Sequence, residues 1–328
     1  MKQITIGTRA SRLAMTQTEW VSARLREHWP NLKIHIAPIR TRGDRIIDAP
    51  LTQIGGDGVF VTEIEHALHE GRIDLAVHSL KDLPTLQPPD LCVFAIGPRE
   101  DVRDVFVAHP EFGRSHAPSD GGIGLRIGTC SLRRAAQLRA LYPQAEFLPL
   151  RGNVDTRLRK LDAGEYELIV LAAAGLHRLD LPARLAGRLT YLPLEDMLPA
   201  PGQGALALEI RTEPEVQALI APLVDPLVQA TTTAERAFMR WLGAGCYLPV
   251  AAYAVIEQEA LTLSGRVISL DGRRQVRVTS RVHWTPEVGL EVAEQLGITL
   301  AEQALAQGAD EIIGMLISGE RIQERQGA

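Results

Sequence analysis

Lysine is nearly missing from this chain. It stands only at positions 2, 33, 81 and 160, so most of the 35 basic side chains are arginine. The net charge is nevertheless −5. A protein that tracks a nucleic acid backbone ordinarily carries a basic stripe and a basic balance, so no nucleic acid partner is expected. Arginines clustered in an acidic chain point instead to a small anionic ligand in a cleft. Cysteine is scarce too: Cys92, Cys130 and Cys246 are odd in number and far apart. They offer neither a disulfide framework nor the paired spacing of a zinc site. HExxH and Walker patterns are absent, and no bound metal is expected. No apolar run reaches the roughly 20 residues that cross a bilayer. The longest, LIVLAAAGL at 168–176, reads as a buried strand. MKQITIGTRA lacks the apolar core of a signal peptide. A cytoplasmic address without a membrane partner is the expectation.

What remains is an ordinary globular composition, 45% hydrophobic and 23% charged over 328 residues, enough for two or three domains. Strand-like and helix-like runs alternate through the first third, from KQITIG to RIDLAVHS. Residues 123–195 repeat that alternation, which predicts α/β units around mostly parallel sheets. PAPGQG at 199–204 interrupts the pattern, and ALALEIR returns as a strand. Beyond DPLVQ a long helix, three strand-like runs with short polar turns, and another helix read as a separate α+β domain.

Four segments carry candidate chemistry. GTCSLRR (128–134) lies where a strand turns into a helix, with Ser131 as the N-cap and Arg133 and Arg134 in the first turn. A helix start presents free N–H groups and a positive dipole end, and arginine adds a planar fork for carboxylate or phosphate. LRGNVDTRLRKL (150–161) repeats the arrangement, with Asn153 or Asp155 as cap and Arg151 at the end of its strand. HSLKDLP (78–84) ends the strand IDLAV and places Lys81 and Asp82 at a cleft rim. There a carboxylate is suited to stabilising a developing cation or moving a proton. LGAGCYLP sets Cys246 on a glycine-flanked turn, whereas Cys92, in LCVFAIG, reads as buried and inert. GDRIIDAPLTQIGGDGVF (43–60) has the length and glycine content of a lid.

These segments, with IGTRASRLA, TRGD, IGGDGVF, AAAGLHRL, PAPGQGALA and ERAF in the same order along nearly the whole chain, resemble the porphobilinogen deaminase (hydroxymethylbilane synthase) family. The resemblance implies stepwise joining of four porphobilinogen molecules, with loss of ammonia, and then hydrolytic release of hydroxymethylbilane. Growth starts on a dipyrromethane cofactor held by a thioether, for which Cys246 is the matching position. Asp82 matches the family's catalytic aspartate. Lys81, Ser131, Arg133 and Arg134 match cofactor-binding positions. Arg9, Ser11, Ser79, Arg151, Arg157 and Arg178 match substrate-binding positions. The fold implied is two type 2 periplasmic-binding-protein-like domains (1–100 with 200–223, and 101–199) and a C-terminal α+β domain (224–328) carrying the cysteine. The family is typically monomeric. Each pyrrole bears two carboxylates, which accounts for many arginines in an acidic protein, and a covalent anchor retains intermediates between steps.

The chain departs from the family at Tyr247 (commonly glutamine), Leu248 (valine), Asp155 (glycine) and Arg12 (proline). Gln53 and Asp57 stand in the expected lid where lysine is common. Two rival readings stay open from sequence alone, a solute receptor with an arginine-lined cleft and a catalytically impaired paralogue.

Overall fold

A computed structural model describes residues 2–45, 58, 61–112, 121–243 and 248–315. The chain begins with β1 (Gln3–Arg9), α1 (Arg12–His28), β2 (Lys33–Ile39), the four-residue α2 (Arg42–Arg45), α3 (Thr62–His69), β3 (Leu75–Ser79), a 3-10 turn Leu80–Asp82 and β4 (Leu91–Ile96). It crosses to β5 (Asp104–Ala108), β6 (Arg126–Gly128), α4 (Leu132–Leu141), β7 (Glu146–Leu148), α5 (Val154–Asp162), β8 (Leu168–Ala172), α6 (Ala173–Arg178) and β9 (Leu189–Tyr191). It returns as β10 (Leu206–Arg211) and α7 (Pro214–Ile220). Then come α8 (Pro226–Trp241), β11 (Val250–Glu257), β12 (Ala260–Ile268), β13 (Gln275–His283) and α9 (Leu290–Ala306).

The first two sheets share one plan. Their orders are β2-β1-β3-β10-β4 and β7-β6-β8-β5-β9, and in each the fourth-placed strand alone runs against the rest. That odd strand, β10 or β5, adjoins a crossover between the sheets. Both sheets are covered on two faces, as mostly parallel sheets must be. In the first, Val21 and Leu25 of α1 meet Ile4, Ile6 and Val77, while Ile64 and Leu68 of α3 meet Ile73 and Ala76. In the second, Leu158 of α5 and Leu176 of α6 meet Val105 and Leu171, while Leu138 of α4 meets Phe106 and Ile127. The expected α/β architecture of two such domains plus a C-terminal antiparallel one is the architecture observed.

The third sheet is the antiparallel meander β11-β12-β13, with α8 and α9 on one face. The two helices approach closely at Gly297, where a Cβ would fall 2.4 Å from the Ala234 carbonyl oxygen. LIVLAAAGL does not form one strand. β8 keeps a ladder partner only as far as Ala172, which faces Asp104. Beyond it, alanines with high helix propensity continue as α6, and Leu176 turns into the core. Cys92 is half-buried rather than buried, with its Sγ 3.4 Å from Thr212 Oγ1.

Candidate active site

Nearly all the anticipated site residues follow the C-terminal ends of parallel strands, the edge at which open α/β sheets bind ligands. Arg9 ends β1, and Ser11 caps α1 by accepting from the Ala14 N–H. Ser79 ends β3, and Lys81 and Asp82 occupy the 3-10 turn after it. Ser131 caps α4 by accepting from the Arg134 N–H, after β6. Asn153, rather than Asp155, caps α5 through the Thr156 N–H at 3.0 Å. Arg178 closes α6, after β8. Gln17 of α1 donates to Ser79 Oγ at 3.0 Å, tying α1 to the Asp82 segment. Leu13 packs on the core of the second domain, and Arg12 pairs with Asp155 at 3.2 Å across α1 and α5. The two domains therefore meet with their helix starts converging. Cys246, Gln53 and Asp57 lie outside the described residues, as does most of the anticipated lid.

The arginines divide into two kinds. Arg133 and Arg134 are almost fully buried and share one carboxylate, Asp104, which is itself fully buried. Arg133 Nη1 donates to Asp104 Oδ2 at 2.7 Å and to the Leu198 carbonyl at 2.7 Å. Arg134 donates to Asp104 Oδ1 through Nε and Nη2 at 3.0 and 2.7 Å, and to the Val170 carbonyl through Nη1 at 3.0 Å. Burial opposes ionisation of Asp104, yet the two guanidiniums outweigh it and hold its carboxyl far below the usual carboxylate range. Arg134 thus commits every side-chain nitrogen to the protein, whereas Arg133 commits only Nη1.

Arg151, Arg157 and Arg178 are different: among the described residues no carboxylate lies within ion-pair distance of any of them. Arg157 donates to the Gly152 carbonyl at 2.7 Å, and Arg178 to the Gly204 carbonyl at 2.6 Å. Desolvation pulls both guanidiniums down to about 10, and Arg134 adds repulsion at Arg157. Lys81 donates to Gln203 Oε1 at 3.2 Å, and its ammonium is pulled down to about 8 by desolvation first and Arg134 second. Asp82 is exposed and favours the cationic forms of both Lys81 and Arg157, so its carboxylate faces the same space. Desolvated cations around one exposed carboxylate suit a ligand bearing several carboxylates and one centre of developing positive charge. The donor set therefore fits a carboxylated dipyrrole.

Three contributors were not singled out from sequence. Asp104 reads as the first residue of a buried strand, and nothing local announces that arginines 29 and 30 positions later will pair with it. Gln203 donates to Asp104 Oδ1 at 3.0 Å and accepts from Lys81, linking the two domains. Glu235, fully buried on α8, accepts both forks of Arg99 at 2.9 Å and the N–H groups of Gly202 and Ala254 at 2.7 and 2.8 Å. It joins the third domain to both crossovers. A polar residue within PAPGQG or ERAF was the only available signal for Gln203 and Glu235. Among the described residues no cluster of His, Cys, Asp and Glu gathers to hold a metal, and no helix is long and apolar enough to cross a membrane.

Comparison with known proteins agrees with this chemistry. Residues 4–218 match the family described as porphobilinogen deaminase, dipyromethane cofactor binding domain, and residues 229–306 match porphobilinogen deaminase, C-terminal domain. The chain is 48% identical over 312 residues to porphobilinogen deaminase of Syntrophotalea carbinolica, covering 95% of each. It is 46% identical over 314 residues to that of Laribacter hongkongensis, covering 95% of this chain and 98% of the relative. It is 48% identical over 310 residues to that of Roseiflexus sp. strain RS-1, covering 94% and 98%. A cleft suited to a polycarboxylate, on a chain matched nearly end to end, has one consistent reading: the chain belongs to the porphobilinogen deaminase family.

Proposed function

We propose that this chain is a hydroxymethylbilane synthase in which Asp82 is the central catalytic group and Cys246 the covalent anchor. It is a transferase of tetrapyrrole biosynthesis. The observation that carries the site assignment is the exposed Asp82 carboxylate beside Lys81 and Arg157, two cations whose charged forms burial disfavours, with Arg151 adding repulsion at Arg157. When bound through Cys246, dipyrromethane supplies the pyrrole carbon on which the chain grows and keeps the product attached.

Lys81, Asp82, Ser131, Arg133 and Arg134 would hold that group. Arg133 would use the nitrogens that Asp104 leaves over, and Arg134 would act through its charge. Arg9, Ser11, Ser79, Arg151, Arg157 and Arg178 would receive the acetate and propionate groups of incoming porphobilinogen. Arg157 and Arg178 are already desolvated, so a carboxylate gains more from meeting them than from meeting solvated arginine. As ammonia leaves porphobilinogen, positive charge develops next to the pyrrole ring. Asp82 stabilises it and accepts hydrogen bonds from pyrrole N–H groups. Lys81 beside it counters part of the carboxylate's own field at rest, and Asp82 in turn favours the charged form of Lys81. In keeping with the net charge of −5, the working form is a cytoplasmic monomer without a nucleic acid partner.

The test is turnover. Purified chain given porphobilinogen should release one ammonia per molecule consumed and yield hydroxymethylbilane. Tight binding of porphobilinogen without ammonia release would support a receptor or an impaired paralogue instead.

A further inference from the structure

The turn that bears Asp82 is held from behind by another domain. Leu80 accepts from the Leu83 N–H at 3.1 Å, closing the 3-10 turn, and the Leu80 N–H donates to the Ala205 carbonyl at 3.0 Å. On the far side of Asp82 the chain leaves as Leu83-Pro84, and Pro84 has no N–H with which to anchor itself. Its fixing comes from carbonyls. Arg236 of α8 donates through Nη1 to the Leu83 carbonyl at 3.2 Å and through Nη2 to the Pro84 carbonyl at 2.5 Å. Beside this clasp lies a cavity of about 200 Å³ lined by Leu80, Thr85, Gln87, Thr232 and Arg236 among others. Leu80 and Leu83 are packed against Ala95 and Val228, which seats the turn, while half-buried Pro84 beyond them is directed by hydrogen bonds to its carbonyl. Gln87 adds one, donating to the Pro84 carbonyl at 2.5 Å from within the same loop. Among the described residues, Arg236 alone brings donors to both carbonyls from outside that loop.

We infer that Arg236 is a positioning residue for Asp82, so that α8 of the third domain sets where the carboxylate stands. The helix ends at Trp241, and the chain runs on to Cys246. The helix therefore grips the Asp82 turn near its own C-terminal end. A fork spanning two successive carbonyls fixes direction as well as distance, which a single ammonium does not. The inference rests on the reading of Asp82 as the catalytic carboxylate. Misplacing such a group by about 1 Å is enough to cost roughly a hundredfold in rate.

The experiment uses full-length protein, with the covalent adduct of each variant verified by intact mass. Arg236→Met removes both hydrogen bonds, and Arg236→Lys keeps the charge without the fork. Arg236→Met should lower kcat by about tenfold or more while KM moves less than about threefold, and Arg236→Lys should recover part of the loss. Arg240→Met is the control: Arg240 borders the same cavity from the same helix but pairs with Glu294 of α9, within the third domain. It should leave kcat within about twofold. In an Asp82→Asn background, Arg236→Met should add no further loss of kcat, because it acts only through that carboxylate. A kcat for Arg236→Met within about twofold of the parent, or full multiplication of the two losses, overturns the inference. If Arg236→Met does not fold, the same kcat-against-KM split and the same cycle in Arg236→Lys decide. Normal turnover by Asp82→Asn would sink the reading of Asp82 itself, whereas a disabled Asp82→Asn beside an intact Arg236→Met sinks the inference alone.

Discussion

Two arginine groups line this cleft, and only one of them is held by a buried carboxylate of the protein. Arg133 and Arg134 share fully buried Asp104, while Arg157 and Arg178 donate to carbonyls and, among the described residues, no carboxylate lies within ion-pair distance of them or of Arg151. The first group resembles a structural ion cluster: two cations, one anion and every partner within hydrogen-bond reach. The second resembles a receptor, with cations desolvated ahead of the anion they are to meet. Adjacent residues of one motif can thus support the fold while a neighbouring motif waits for ligand, and local sequence does not distinguish them.

The sharpest way to break this comparison is to substitute Asp104. Asp104→Asn leaves two buried guanidiniums facing a neutral amide and should cost about 3–5 kcal/mol of stability, measured by denaturant unfolding. Arg157→Met should show the opposite split, with an unchanged or raised melting temperature and weakened turnover. The pH dependence follows from the same pair. Asp104 is held below its ordinary value in the folded state. Its stabilisation is complete above about pH 4, the unfolded carboxylate value, and is lost as the pH falls from there toward the folded one. Asp104→Asn should flatten that part of the acid unfolding curve. If both variants lose stability equally, the division into two groups is wrong.

Asp82→Asn preserves shape but removes charge. If charge stabilisation dominates, turnover should drop by roughly a hundredfold or more. An exposed carboxylate contributes little to stability, so the melting temperature should hold. Near-normal turnover would move the chemistry elsewhere.

Lys81 offers a smaller, titratable effect. Its folded pKa is about 8 against an ordinary 10.5. Below 8 the lysine is charged in both states and costs folded-state stability, and above 10.5 it is neutral in both, so its contribution to stability rises between those values. Binding runs the other way. kcat/KM for a carboxylated substrate should fall as the pH climbs through about 8, and Lys81→Gln should remove that limb. A profile of unchanged shape in the variant would assign the limb to another group. The smallest effect belongs to Asp155, which meets Arg12 in an exposed pair at 3.2 Å. Asp155→Gly should change stability by under about 1 kcal/mol, and a larger loss would show that the bridge between the domains is more than a surface contact.

What could be read in the sequence follows the range of the interactions involved. Ser11, Ser131 and Asn153 were legible as caps because a cap is settled within three residues. The strand end bearing Ser79 was legible because the motif there is local, whereas Arg178, which closes α6, came only with the family resemblance. The break of LIVLAAAGL into β8 and α6 was not, because it is decided by where β5 stops offering a ladder partner. Asp104, Gln203 and Glu235 were missed for the same reason: their partners lie 19 to 136 residues away. Net charge predicted an arginine-lined cleft, but which arginines are neutralised is a property of the tertiary fold.

The central claim is that this cleft serves a ligand tethered to Cys246, and intact mass spectrometry of the purified chain tests it most directly. The account predicts the sequence mass plus a dipyrromethane, with the adduct kept in Cys92→Ser and Cys130→Ser and lost in Cys246→Ser. A bare mass in the parent chain, or an adduct that survives in Cys246→Ser, would contradict it.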